Sequence, residues 1–80
     1  MTNTILRLPA VLHERGRSRS THYLDIQQGL FTKPVALGAR AVGWPEQEVV
    51  AINEARIAGR SEEEIRALVK QLEARRQMGN

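Results

Sequence analysis

Gly16 separates two short helix-forming segments, and the eight residues that begin there, Gly16-Arg17-Ser18-Arg19-Ser20-Thr21-His22-Tyr23, constrain the chain more than any other stretch. Upstream, Pro9 suits the first turn of a helix, where its missing N–H costs nothing, and Val11 and Leu12 give that helix an apolar side. Gly16 ends it. Ser18 is a good N-cap for a second helix running to about Gln28, with Gly29 as a left-handed stop. The second helix therefore starts with arginines and hydroxyls directly after a tight turn. A recognition helix that inserts its N-terminal end into DNA needs that chemistry.

The following residues read as a wing. Lys33-Pro34 breaks the chain, and Val35-Ala36-Leu37 and Arg40-Ala41-Val42-Gly43-Trp44 flank Gly38-Ala39. A hairpin with a two-residue loop is the simplest reading, with glycine at the first turn position. Pairing Leu37 with Arg40 places Val35, Leu37, Val42 and Trp44 on one face and Arg40 at the tip. Ile5 to Leu8 reads as a brief extended segment. Pro45 opens a third helix with Glu46 and Glu48 near its positive end. Val49, Ile52 and Arg56 share one side of it, and Gly59 ends it. Ser61 and Glu64 form a capping box, followed by an apolar stripe of Ile65, Leu68, Val69 and Leu72. Arg75 and Arg76 complement that helix's negative end.

The expected fold class is mainly α with a small β-hairpin, a winged helix-turn-helix over residues 5–60. An amphipathic helix over 61–78 either packs on that domain or serves self-association. Eighty residues make one small domain, and with Trp44, Tyr23 and Phe31 as its only aromatics the core is modest. The absence of cysteine excludes disulfides and thiolate metal sites and fits a reducing cytosol. Residues 1–12 lack a long apolar run behind basic residues, and no stretch approaches a membrane span, so the expected location is cytoplasmic, at the nucleoid.

The net charge of +3 is unevenly distributed. Residues 1–44 hold six basic side chains against two acidic ones, whereas residues 45–80 hold six against seven. The basic excess coincides with the glycine turn, which points to a polyanionic partner.

The candidate DNA-binding residues follow from this placement. Arg19 can reach a guanine edge, Ser18, Ser20 and Thr21 can meet bases or backbone, and Tyr23 and Gln27 continue the same side. Arg17 and Lys33 suit phosphates, and Arg40 suits a backbone or minor-groove contact. Ser18 and Thr21 also serve as helix caps in any reading. His22 and Asp25, spaced i, i+3 on the opposite face, read as a structural pair rather than a site, because only His13 joins His22 and no ligand spacing appears. Leu24 is an exposed apolar residue without an assigned role. Trp44 reads as core rather than as a base-stacking platform. Catalytic residues, bound metal and cofactor are all expected to be absent.

The runs Arg7-Leu8-Pro9-Ala10-Val11-Leu12, Gly16-Arg17-Ser18-Arg19-Ser20-Thr21 and Gly29 to Trp44, continued by Val49 and Glu54-Ala55-Arg56-Ile57, resemble the AlpA family of phage and prophage regulators. The likeness covers roughly residues 5–60. Members of that family usually carry aliphatics near His22 and Asp25 and often a basic residue near Leu24. Ile52 stands where tryptophan is common, and Pro45 where leucine is common. The resemblance implies an excisionase-like, MerR-related winged helix-turn-helix that controls integrase expression or directs excision of a mobile element. The implied partners are double-stranded DNA, an integrase or other recombination proteins, and a second copy in a weak homodimer or cooperative assembly on DNA. The alternative is a small protein-interaction module, antitoxin-like or an adaptor, that uses the C-terminal helix.

Overall fold

Gly16 sits in the left-handed region at φ +66°, and the Arg17 N–H reaches back to the Leu12 carbonyl at 3.2 Å, closing one helix before the next begins. The structure is a computed structural model that describes residues 4–78. These form β1 (Ile5–Leu6), α1 (Leu8–Arg15), α2 (Arg19–Gln27), β2 (Val35–Ala36), β3 (Val42–Pro45), α3 (Glu46–Ile57) and α4 (Glu62–Met78). Four helices and a small antiparallel sheet, with α1 and α2 joined by a tight turn and β2 and β3 by a hairpin, make a winged helix-turn-helix.

The sheet has the order β1-β3-β2, so β3 is central. Ile5 pairs with Pro45 and Leu6 with Trp44, which makes the short extended segment at the start of the chain a third strand of the wing. On the other side Val35 pairs with Gly43 and Ala36 with Val42, and the Leu37 N–H donates to the Ala41 carbonyl at 2.7 Å. This corrects the expected register by one residue. The loop is Gly38-Ala39-Arg40, Leu37 faces Ala41, and Gly38 keeps a negative φ that a two-residue glycine turn would not use. Because strand faces alternate, Val42 and Trp44 now point opposite to Val35 and Leu37. Burial explains the outcome: Trp44 is fully enclosed, whereas Leu37 is 44% exposed on the outer face. Gly43 shares that outer face. A Cβ there would stand 2.5 Å from Ile5 Cγ2 and 2.9 Å from the Leu6 carbonyl, so the close approach of β1 requires glycine.

The core joins Val11, Leu30, Phe31, Trp44, Val49, Ile52, Ile65, Val69 and Leu72. The Trp44 indole donates to the Thr32 carbonyl at 2.8 Å, which satisfies its one donor inside the core. Ile65, Val69 and Leu72 of the α4 stripe are buried in this cluster, and Leu68 packs against its edge. The capping box forms as expected: Ser61 N–H donates to Glu64 Oε1 at 2.9 Å and Glu64 N–H to Ser61 Oγ at 3.2 Å.

Helix α4 also fastens the connection between α2 and the wing. Arg66 Nε donates to the Gln28 carbonyl at 2.8 Å, and the Lys33 N–H donates to Glu73 Oε2 at 2.8 Å. Arg76 lies in the last turn of α4, at the helix's negative end as expected, and its side chain also crosses to α3. Its Nε and Nη2 donate to the two Glu48 carboxylate oxygens at 2.8 and 2.6 Å, and Nη2 also reaches the Lys33 carbonyl at 2.7 Å. Glu48 is 4% exposed, and a buried carboxylate needs such a fork-shaped partner.

Candidate nucleic-acid interface

Helix α2 has one face locked in the core and one open to solvent. Ser18 caps it in an extended conformation, with Oγ accepting the Thr21 N–H at 3.3 Å and donating to Thr21 Oγ1 at 2.9 Å. The locked face carries His22 and Asp25, both buried, and the half-buried Ile26.

His22 and Asp25 do not bond to each other, as their spacing suggested. Arg15, from the end of α1, holds them both: Nη1 meets His22 Nδ1 at 2.7 Å and Nη2 donates to Asp25 Oδ2 at 2.8 Å. The Arg15 guanidinium also lies 4.0 Å over the Phe31 ring, and its side chain is only 1% exposed. Arg17 and Arg56 approach the same Asp25 oxygen at 3.4 and 3.8 Å. Three arginines around one carboxylate leave this end of the helix pair with a positive excess. The His22 ring packs edge-on to Trp44 at 4.9 Å and against Phe31 at 5.0 Å. Burial first, and the Arg15 charge second, pull the imidazole down from 6.5 to about 4, against the opposing pull of Asp25. The helix-turn-helix is therefore held by a neutral imidazole and a buried ion pair that span its turn.

The open face of α2 carries Arg19, Ser20, Leu24 and Gln27, all exposed. Tyr23 is half-buried because its ring leans on His22, with centroids 5.3 Å apart. Ser18 is exposed but its hydroxyl is engaged in the cap, and Thr21 is half-buried beside it. Arg17 is folded toward Asp25 while its side chain stays 31% exposed. Lys33 lies exposed in the α2–β2 connection, and Arg40 lies exposed in the hairpin loop. Of the nine residues singled out in the sequence, Arg19, Ser20, Thr21, Tyr23 and Gln27 thus share α2, Ser18 caps it, and Arg40 belongs to the wing. The role of Arg15 as the buried clamp was not apparent from sequence, since its partners lie seven and ten residues away.

A family model described as the prophage CP4-57 regulatory protein (AlpA) matches residues 4–56. The chain belongs to the AlpA family. A relative in Enterobacteria phage P4, the uncharacterized protein ORF88, is 49% identical over 55 residues, which is 69% of this chain and 62% of the phage protein. The chain thus matches less than two thirds of the length of that relative. No solved structure matches it. The AlpA match runs from β1 through most of α3 and includes the turn, the whole of α2 and the wing. Helix α4, with Arg66, Glu73 and Arg76, lies beyond the AlpA match. AlpA proteins are phage regulators by their family description, which places this chain in a regulatory family. Among the described residues no helix is long and apolar enough to cross a membrane.

Proposed function

We propose that this AlpA-family chain is a sequence-specific double-stranded DNA-binding protein that acts without catalysis or cofactor. Helix α2 enters the major groove with its N-terminal turn, and the wing lays Arg40 against the adjacent backbone or minor groove. The observation that carries this reading is the division of α2 into two faces. Arg15 pins His22 and Asp25 on one side, so Arg19, Ser20 and Gln27 are presented on a rigid, solvent-facing surface. Backbone N–H groups of the first turn add an anion-binding edge.

Binding of this kind serves either transcriptional regulation or excision of a phage or mobile element, the latter by shaping DNA beside an integrase. The site of action is the nucleoid. Pairing of two copies on half-sites about 10 base pairs apart belongs to the same proposal, because one recognition helix reads only a few base pairs. The alternative of a protein-interaction module built on α4 is less well supported, since Ile65, Val69 and Leu72 already serve this chain's own core.

Selection of bound sequences from a randomised duplex pool tests the proposal. A recurring motif that binds more tightly than the unselected pool is the expected result. Recovery of no motif, with no affinity for duplex at moderate salt, would overturn it.

A further inference from the structure

Leu24 is the apolar residue in the middle of the open face of α2. It lies one turn beyond Ser20 and one turn before Gln27, and all three side chains are exposed. Leu24 itself is 49% exposed, and the core lies against the opposite side of the helix at His22, Asp25 and Ile26. Among the described residues, Leu24 belongs neither to the core nor to the apolar side chains packed against it. The surface around it is polar and cationic: a hydroxyl, a carboxamide and the Arg19 guanidinium.

A hydrogen-bonding surface with one apolar centre has a specific complement in the major groove. Thymine presents its O4 acceptor beside a 5-methyl group, and adenine presents N7 and the N6 amino group, which a glutamine reads bidentately. Residues three apart on a helix stand about 5–6 Å apart at Cβ, and neighbouring base pairs rise by about 3.4 Å. Leu24 and Gln27 are thus spaced to reach neighbouring pairs. Accepting the DNA-binding reading above, on which this rests, we propose that Leu24 is a specificity-determining residue. It packs against the 5-methyl of a thymine, while Gln27 reads an adenine on a neighbouring pair. The helix thereby selects an A·T-containing step at its centre, separate from the contact made by Arg19 at its start.

Replacing thymine by deoxyuridine removes the methyl and leaves every hydrogen-bonding group in place, so it isolates this contact. The duplex is a sequence selected by the full-length protein from a randomised pool, with each thymine replaced singly. The wild-type chain should lose about fourfold in affinity at one position, the value of one buried methyl. Leu24→Ala should bind the thymine duplex more weakly and become indifferent to deoxyuridine at that position. Leu24→Met should keep the sensitivity. Because Leu24 is half exposed, its variants should melt close to wild type, and circular dichroism checks this. Equal binding of thymine and deoxyuridine duplexes at every position, or unchanged methyl sensitivity in Leu24→Ala, would overturn the assignment and leave DNA binding intact. Salt-dependent binding without any selected sequence would overturn it together with the sequence-specific part of the proposed function, leaving only non-specific duplex binding. Absence of duplex binding altogether would overturn the DNA reading and this inference with it.

Discussion

Arg15 Nη1 stands 2.7 Å from His22 Nδ1, and arginine has no acceptor, so the guanidinium donates and Nδ1 carries no proton. The imidazole proton is then on Nε2, which has no hydrogen-bond partner among the described residues and lies on a ring packed edge-on to Trp44. Protonating His22 would place a second cation against Arg15 inside the core.

The consequence is a pH-dependent fold. The unfolded chain takes up this proton near 6.5, but the folded chain resists it until about 4. The stability contributed by neutral His22 is therefore full above pH 6.5 and is lost as the pH falls, the loss being complete below about 4. Urea unfolding should show a decrease of roughly 2 kcal/mol between pH 7.5 and 5, from about 1.4 kcal/mol per unit over the part of that range below the unfolded value. His22→Gln should be less stable at pH 7.5 but nearly flat over the same range. An equal slope in both proteins would assign the effect to other groups.

Arg76 and Glu48 tie α4 to α3. Arg76→Ala leaves a buried carboxylate without its fork of donors and should destabilise the fold by about 3 kcal/mol. The pair Glu48→Leu with Arg76→Leu should recover much of that loss, since replacing both charges removes the stranded ion. Denaturant midpoints for the two single variants and the double variant check this. Additive losses would show that the two residues do not act together.

Gly43→Ala tests the sheet. The added methyl meets both the Ile5 side chain and the Leu6 carbonyl, and only the first can move aside. A loss of about 1–3 kcal/mol is expected, with partial recovery when Ile5 is also changed to alanine. A neutral Gly43→Ala would mean that β1 does not lie against β3 as described.

The wing makes a separate prediction. Arg40 is exposed in its loop, so Arg40→Ala should leave the melting temperature unchanged. It should weaken DNA binding across sequences and reduce the slope of log K against log salt by about one unit. Unchanged affinity and slope would leave Arg40 in solvent.

Local signals in the sequence carried most of the element boundaries. Gly16, Gly29 and Gly59 all take positive φ, Ser18 caps α2, and Ser61 and Glu64 form their reciprocal box. Each depends on neighbours within a few residues, so spacing reveals it. The locked face of α2 was legible for the same reason. The partners of its polar residues were not: Arg15 joins His22 and Asp25 across the turn, and Arg76 reaches Glu48 over 28 residues. Long side chains choose such partners through tertiary packing, which helical periodicity does not encode. The hairpin register failed by one residue because Gly38-Ala39 suggested a two-residue loop. The burial of Trp44 against a core assembled from distant segments decided for three.

The central claim is that the open N-terminal turn of α2 meets DNA, and Arg19 tests it most directly. Affinities of the wild type and Arg19→Ala are measured on duplex from around the protein's own gene and on random duplex, over a series of salt concentrations. Wild type should bind its own site more tightly, with affinity falling as salt rises. Arg19→Ala should cost about 1–3 kcal/mol on that site and less on random duplex. Salt-independent binding, or equal losses on both duplexes, would contradict a recognition role for this helix.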